Sequence, residues 1–141
     1  MYFDTAYVAK VYLAEPESQA VRQLVKKSAP VSSSALAIAE FHCVLHRAVR
    51  EKSISGATAR NAASVFSLDV KDGLWRLLPV PEGLLWRTGS SALSAPDNFF
   101  LRAADAIHLM TAQDLREKEI WTNDRHMRNA APWFGLTARS V

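Results

Sequence analysis

The chain has 141 residues, 49% hydrophobic and 22% charged, which suits a single domain over residues 1–141 and excludes two sizeable cores. No apolar run reaches the ~20 residues that cross a bilayer, Met1–Asp4 lacks the regions of a secretion signal, and the lone Cys43 closes no internal disulfide. A cytoplasmic protein without a membrane partner is expected, and its net charge of +3 (17 Lys and Arg, 14 Asp and Glu) permits an acidic partner.

Tyr2-Phe3 is a very short apolar strand ending at Asp4-Thr5, and Ala6 to Leu13 repeats apolar residues at helical spacing. Ser18 is the expected N-cap of a second helix with Ala20, Val21, Leu24 and Val25 on one face. A strand follows at Pro30–Ser33, with Ser33 or Ser34 capping a helix from Ala35 to Arg50. Ser55 caps the next helix, which runs through Ala59, Phe66 and Leu68 to about Gly73; its apolar face suits core packing or a partner groove equally. Leu74–Val80 reads as a strand whose far end Pro79 puts at an edge or exit, with Trp75, Leu77, Leu78 and Trp86 as core. Pro81-Glu82 starts a helix, Phe99–Leu115 is a further one, and Glu119–Thr122 is a strand stopping at Asn123-Asp124. A short helix over Arg125–Ala131 and an edge strand at Phe134–Thr137 complete the chain. Strands alternating with helices predict an α/β/α sandwich around a mostly parallel sheet of four to five strands. Such sheets place their sites beyond the carboxyl ends of the strands.

That rule gives four acids meaning. Asp4 and Asp124 each end a strand, where each also suits the N-cap of the following helix. The two roles are compatible, because a helix N-terminus stabilises a carboxylate and leaves lone pairs for a metal. Glu40 lies within a helix on the ridge of Leu36 and Val44, and an ionised group at an apolar margin is costly without a cation. Asp105 sits among Leu101, Ala103, Ala104, Ala106 and Leu109, so its helix begins shortly before it, it pairs with Arg102, or it serves a site. Gathered carboxylates repel one another, and a divalent ion removes that penalty. Such an ion also acidifies water and neutralises charge building on a phosphodiester. With the four acids set aside, 17 positive side chains face 10 negative ones, a balance that attracts a polyanion.

Tyr2-Phe3-Asp4-Thr5, Ser33-Ser34-Ala35-Leu36, Ala39-Glu40, Leu101–Leu109 and Thr122-Asn123-Asp124-Arg125 together resemble the PIN-domain nucleases, most closely the VapC toxins of bacterial toxin–antitoxin pairs. The resemblance implies a PIN-like α/β/α fold with Asp4, Glu40, Asp105 and Asp124 as catalytic and metal-binding residues. It implies Mg²⁺ or Mn²⁺ as cofactor, support from Thr5, Thr122 and Asn123, and endonucleolytic cleavage of structured RNA such as tRNA or rRNA. A cognate VapB-like antitoxin and a toxin homodimer are its implied protein partners. Arg102 and Arg125 are candidate RNA-phosphate contacts. The stretch from Lys71 to Asn98 carries no motif of this pattern.

Other constellations carry less. His42, Cys43 and His46 match no zinc module, His108 reads as a packed or hydrogen-bonding histidine ahead of a general base, and no glycine-rich phosphate loop exists. Trp121, Trp133 and Phe134 read as core ahead of base-stacking. The competing functions are a non-catalytic RNA- or partner-binding domain and, behind it, an aspartyl-phosphate enzyme. The latter would want a second Asp two residues after Asp4, where Ala6 stands.

Overall fold

A computed structural model describes residues 1–141. The elements run β1 (Tyr2–Phe3), α1 (Thr5–Tyr12), α2 (Ser18–Ser28), β2 (Val31–Ser34), α3 (Leu36–Arg50), α4 (Gly56–Lys71) and β3 (Trp75–Leu78). They continue with α5 (Glu82–Leu93), α6 (Ala103–Asp114), β4 (Glu119–Trp121), α7 (Arg125–Ala130), a 3-10 turn (Ala131–Phe134) and β5 (Thr137–Arg139). The five strands form one sheet in the order β3-β2-β1-β4-β5, and every pairing is parallel. β3 is an edge strand, and it ends at Leu78, just before Pro79. No helix is long and apolar enough to cross a membrane.

Strand alternation builds one packed apolar layer on each face of the single sheet. Tyr2 and Phe3 are both fully buried, yet successive side chains of a strand face opposite sides of the sheet. Phe3 packs with Tyr7, Val8, Val21, Phe41 and Phe66 in the layer of α1 to α4. Tyr2 packs with Leu84, Leu109, Ile120, Met127 and Phe134 in the layer of α5 to α7. Burying each large apolar side chain contributes ~1.5–3 kcal/mol, which makes these two clusters the main source of stability. The result is the expected three-layer sandwich.

Several local expectations shift. Ser18 is the first residue of α2 instead of its cap; Glu17 holds the cap position at φ +70°, with no side-chain cap bond. The Ser18 hydroxyl accepts from Glu15 N and donates to the Leu13 carbonyl, so it ties the preceding turn. At α3 the Ser34 hydroxyl accepts from Leu36 N, while Ser33 donates to the Phe3 carbonyl and pins β2 to β1. The helix expected from Phe99 begins only at Ala103, because Arg102 is extended. β5 lies later than Phe134–Thr137, since Gly135 at φ +69° first terminates the 3-10 turn. Trp86 is no core residue: it is 71% exposed and its indole donates to Glu82. Trp133 is likewise surface-exposed, whereas Phe134 is buried as expected.

Candidate active site

β1 and β4 are adjacent and parallel, with Phe3 level with Trp121, so the residues following each emerge at the same sheet edge. Asp4 N donates to the Trp121 carbonyl at 3.2 Å, which extends the ladder one step and fixes where the carboxylate begins. Asp4 is 4% exposed and caps α1, its Oδ1 accepting from Tyr7 N at 2.8 Å. Asp124 caps α7, its Oδ1 accepting from His126 N at 2.7 Å and Met127 N at 2.9 Å. Both are therefore helix caps, and in both the second carboxylate oxygen is not spent on the cap.

Glu40 reaches the same edge from α3. Its Oε2 accepts from the Thr5 hydroxyl at 2.5 Å and lies 2.8 Å from His108 Nε2. Asp105 arrives from the opposite layer, in the first turn of α6, where the helix dipole favours an acid. Its Oδ2 is buried without a hydrogen-bond partner. An orphaned buried carboxylate oxygen is costly unless a cation meets it.

The electrostatics record the crowding. Burial pushes the Asp4 carboxyl up and the Asp124 charge adds to this, against hydrogen bonds from Thr122 and Tyr7 N and the nearby His108. Burial pushes Asp105 up as well, the charges of Asp124 and Glu40 reinforcing it and Arg102 opposing it. For Glu40, burial acts upward, but the bonds from His108 and Thr5 outweigh it and hold the group below its usual range. The acids thus form one electrostatic unit, in which Glu40 is held below its usual range by its protein partners while Asp4 and Asp105 are pushed up.

His108 organises that exception. It is 2% exposed, with Nδ1 at 2.9 Å from the Tyr2 hydroxyl. Burial pushes the Tyr2 phenol far up, so it keeps its proton. An ionised Glu40 opposite Nε2 requires a proton on that nitrogen, so Tyr2 donates to Nδ1 and Nε2–H donates to Glu40. The histidine is hydrogen-bonding, as its position suggested, and it is also a positioning group for Glu40. Tyr2 escaped the sequence reading. The signal was its place two residues before Asp4 on the same strand face, with His108 three residues after Asp105 on one helical face.

The supporting residues divide. Thr5 holds Glu40. Thr122 Oγ1 accepts from Asp124 N at 3.0 Å and lies 3.8 Å from the Met127 sulfur, and as a hydrogen-bonding neighbour it draws the Asp4 carboxyl downward against burial. Asn123 is committed elsewhere: its Oδ1 accepts from the Tyr7 hydroxyl at 3.0 Å and its amide donates to Glu17, which pairs with Lys10. The Tyr7 hydroxyl also accepts from Val141 N. This network straps the loop carrying Asp124 to α1 and the last residue. Arg102 and Arg125 are exposed beside the acids.

All four acids offer hard oxygen donors of the kind Mg²⁺ and Mn²⁺ prefer, and Asp105 Oδ2 is free to meet one. The carboxylates do not form a closed cage, since no three His, Cys, Asp or Glu side chains stand at full ligand spacing. Because Mg²⁺ keeps several of its waters, one or two of these acids would touch an ion directly and the others would hold it through water. A cleft of about 420 Å³ leads from Thr5 and Glu40 along α3 past Cys43 to Arg47. A larger one of about 750 Å³, along Ala14–Gln23, contains none of the four acids.

Known proteins resemble this chain in sequence and in fold. The chain is 36% identical over 140 residues to ribonuclease VapC46 of Mycobacterium tuberculosis, covering 96% of this chain and 93% of that protein. Its fold matches the crystal structure of M. tuberculosis VapC20, a sarcin-ricin loop cleaving toxin, with TM-score 0.72 and 16% identity over 92% of this chain and 93% of the other. FitAcB of Neisseria gonorrhoeae matches with TM-score 0.65 and 17% identity over 97% and 94%. Residues 1–131 match the PIN domain as a family. By the match of residues 1–131 to that family and the similarity to a ribonuclease across nearly its whole length, the chain belongs to the PIN-domain family.

Proposed function

We propose that this chain is an endoribonuclease toxin of the VapC type, using Mg²⁺ or Mn²⁺ held by Asp4, Glu40, Asp105 and Asp124. The observation that carries the reading is the meeting of these carboxylates at one sheet edge, with Asp105 Oδ2 unpartnered, in a chain 36% identical to a ribonuclease. When bound, the ion supplies Lewis acidity and a more acidic water. The chain's own residues orient and hold the donors: Thr5 and His108 fix Glu40, Thr122 steadies Asp4, and the N-terminus of α7 fixes Asp124. Groups fixed before the reaction need not reorganise during it. Arg102 and Arg125 flank the acids as phosphate contacts.

The substrate class we propose is structured RNA such as tRNA or rRNA, in keeping with the similarity to a toxin that cleaves the sarcin-ricin loop. A cytoplasmic setting, a homodimer and a VapB-like antitoxin belong to the same reading. Exposed Val65 and Leu68 on α4 and Leu85, Trp86 and Leu93 on α5 supply apolar surface for protein partners.

The test is to incubate purified, antitoxin-free protein with cellular RNA in Mn²⁺ or in EDTA and to analyse the new ends. Attack by water predicts cleavage in Mn²⁺ only, leaving 5′-phosphate and 3′-hydroxyl termini. Full cleavage in EDTA, or 2′,3′-cyclic phosphate ends, contradicts it. Metal-dependent RNA binding with no cleavage of any RNA class would move the chain to the non-catalytic reading.

A further inference from the structure

Phe100 has no place in either core. Its neighbours Phe99 and Leu101 pack against the α5–α7 layer, whereas Phe100 itself remains 55% exposed. It does not lie idle on the surface, however. Its ring centroid is 4.6 Å from that of His126, with the planes inclined at 49°. The Arg102 guanidinium lies 5.4 Å from the same ring. A cation at that distance from an aromatic ring is attracted by its quadrupole.

The position of this trio gives it meaning. Arg102 occupies the cap position of α6, three residues before Asp105, and its charge is felt at the Asp105 carboxylate. His126 lies two residues after Asp124, and its backbone N–H donates to that carboxylate. Contact between Phe100 and His126 therefore joins the two segments that carry Asp105 and Asp124. The stack stands at the border of the acidic site, exposed and flanked by positive charge.

We propose that Phe100, with His126 and Arg102, is a stacking subsite for an unpaired RNA base next to the phosphate that is cut. The inference rests on the ribonuclease reading of the acids and adds the feature of RNA that this chain recognises. Aromatic rings and guanidinium planes are the surfaces on which splayed-out RNA bases stack. The adjoining Arg102 and Arg125 suit the phosphates that accompany such a base. A base inside a duplex keeps both faces covered by its neighbours, so the subsite selects loops, bulges and single strands. A protein partner's apolar side chain would gain less here, because it brings no negative charge for the two arginines.

The experiment is equilibrium binding of short RNAs carrying 2-aminopurine, in EDTA to prevent turnover, to the parent chain and to Phe100→Ala and Phe100→Trp. The parent is expected to quench 2-aminopurine in a single-stranded oligonucleotide and to bind a fully paired duplex of the same sequence more weakly. Phe100→Ala should bind the single strand about 5- to 150-fold more weakly and lose the quenching. Phe100→Trp should restore both. Since Phe100 is exposed, the alanine variant should melt with the parent, which separates a lost contact from a lost fold. Parent-like binding and quenching by Phe100→Ala overturn the subsite while leaving the nuclease reading intact. A parent that neither binds nor cleaves RNA overturns both.

Discussion

Adding Mn²⁺ to the purified chain is expected to raise its melting temperature by about 9 °C, and Asp105→Asn is expected to abolish that rise. An ion that binds only the folded chain at 100 times its dissociation constant stabilises it by about 2.7 kcal/mol. Unfolding entropy of roughly 2.1 cal/mol/K per residue over 141 residues is about 0.3 kcal/mol/K, so 2.7 kcal/mol corresponds to about 9 °C. The variant's behaviour without metal makes the test discriminating. Burial and the charges of Asp124 and Glu40 raise the Asp105 carboxyl above its unfolded value. An acid with a raised folded value costs stability above that value, and the cost disappears as pH falls below the unfolded one. Asn at this position carries no such cost, so the metal-free variant should melt at or above the parent at pH 7. Toward pH 3 this advantage should shrink. Differential scanning calorimetry of both proteins, across Mn²⁺ concentration and pH, measures all of this. An equal Mn²⁺ shift in parent and variant, or none in the parent at saturation, would refute the assignment of Asp105 as an ion ligand.

Three further outcomes follow from the geometry. Tyr2→Phe removes the donor to the buried His108 Nδ1 and should cost about 1–3 kcal/mol in urea unfolding; an unchanged midpoint would show that this bond is not made. Phe41→Ala, at a fully buried position in the α1–α4 layer, should cost about 3–5 kcal/mol in the same measurement, and a loss below 1 kcal/mol would mean that the layer is not packed as described. Asn123→Ala should leave the Mn²⁺ shift intact while lowering stability by about 0.5–1.5 kcal/mol, because its side chain serves Tyr7 and Glu17; loss of the shift would return Asn123 to the ion site.

What the sequence made legible was periodic or local. Asp4 and Asp124 could be placed because short apolar strands end at them and a parallel sheet gathers its strand ends. Glu40 could be singled out because its ridge is apolar. A helix starting at Phe99 would put Asp105 in its interior, whereas Asp105 falls in the first turn of α6, where an acid is at ease. Its interest lies instead in the unpartnered Oδ2, which only the packing reveals. The Tyr2–His108 bond spans 106 positions and the Asn123–Glu17 bond also spans 106, and no local pattern encodes such meetings. Asn123 looked like a site residue because it adjoins Asp124, but neighbouring residues in an extended segment face opposite ways. Phe100 and Trp86 show the limit of hydrophobicity alone, since both are large and apolar and both are exposed.

The most direct test of the central claim is the rate at which the parent and Asp105→Asn cleave one RNA that the parent cuts, at saturating Mn²⁺. Removing a ligand from an ion-dependent site should lower kcat at least 100-fold without unfolding the protein. Cleavage by the folded variant within a few-fold of the parent would contradict the account of the four acids.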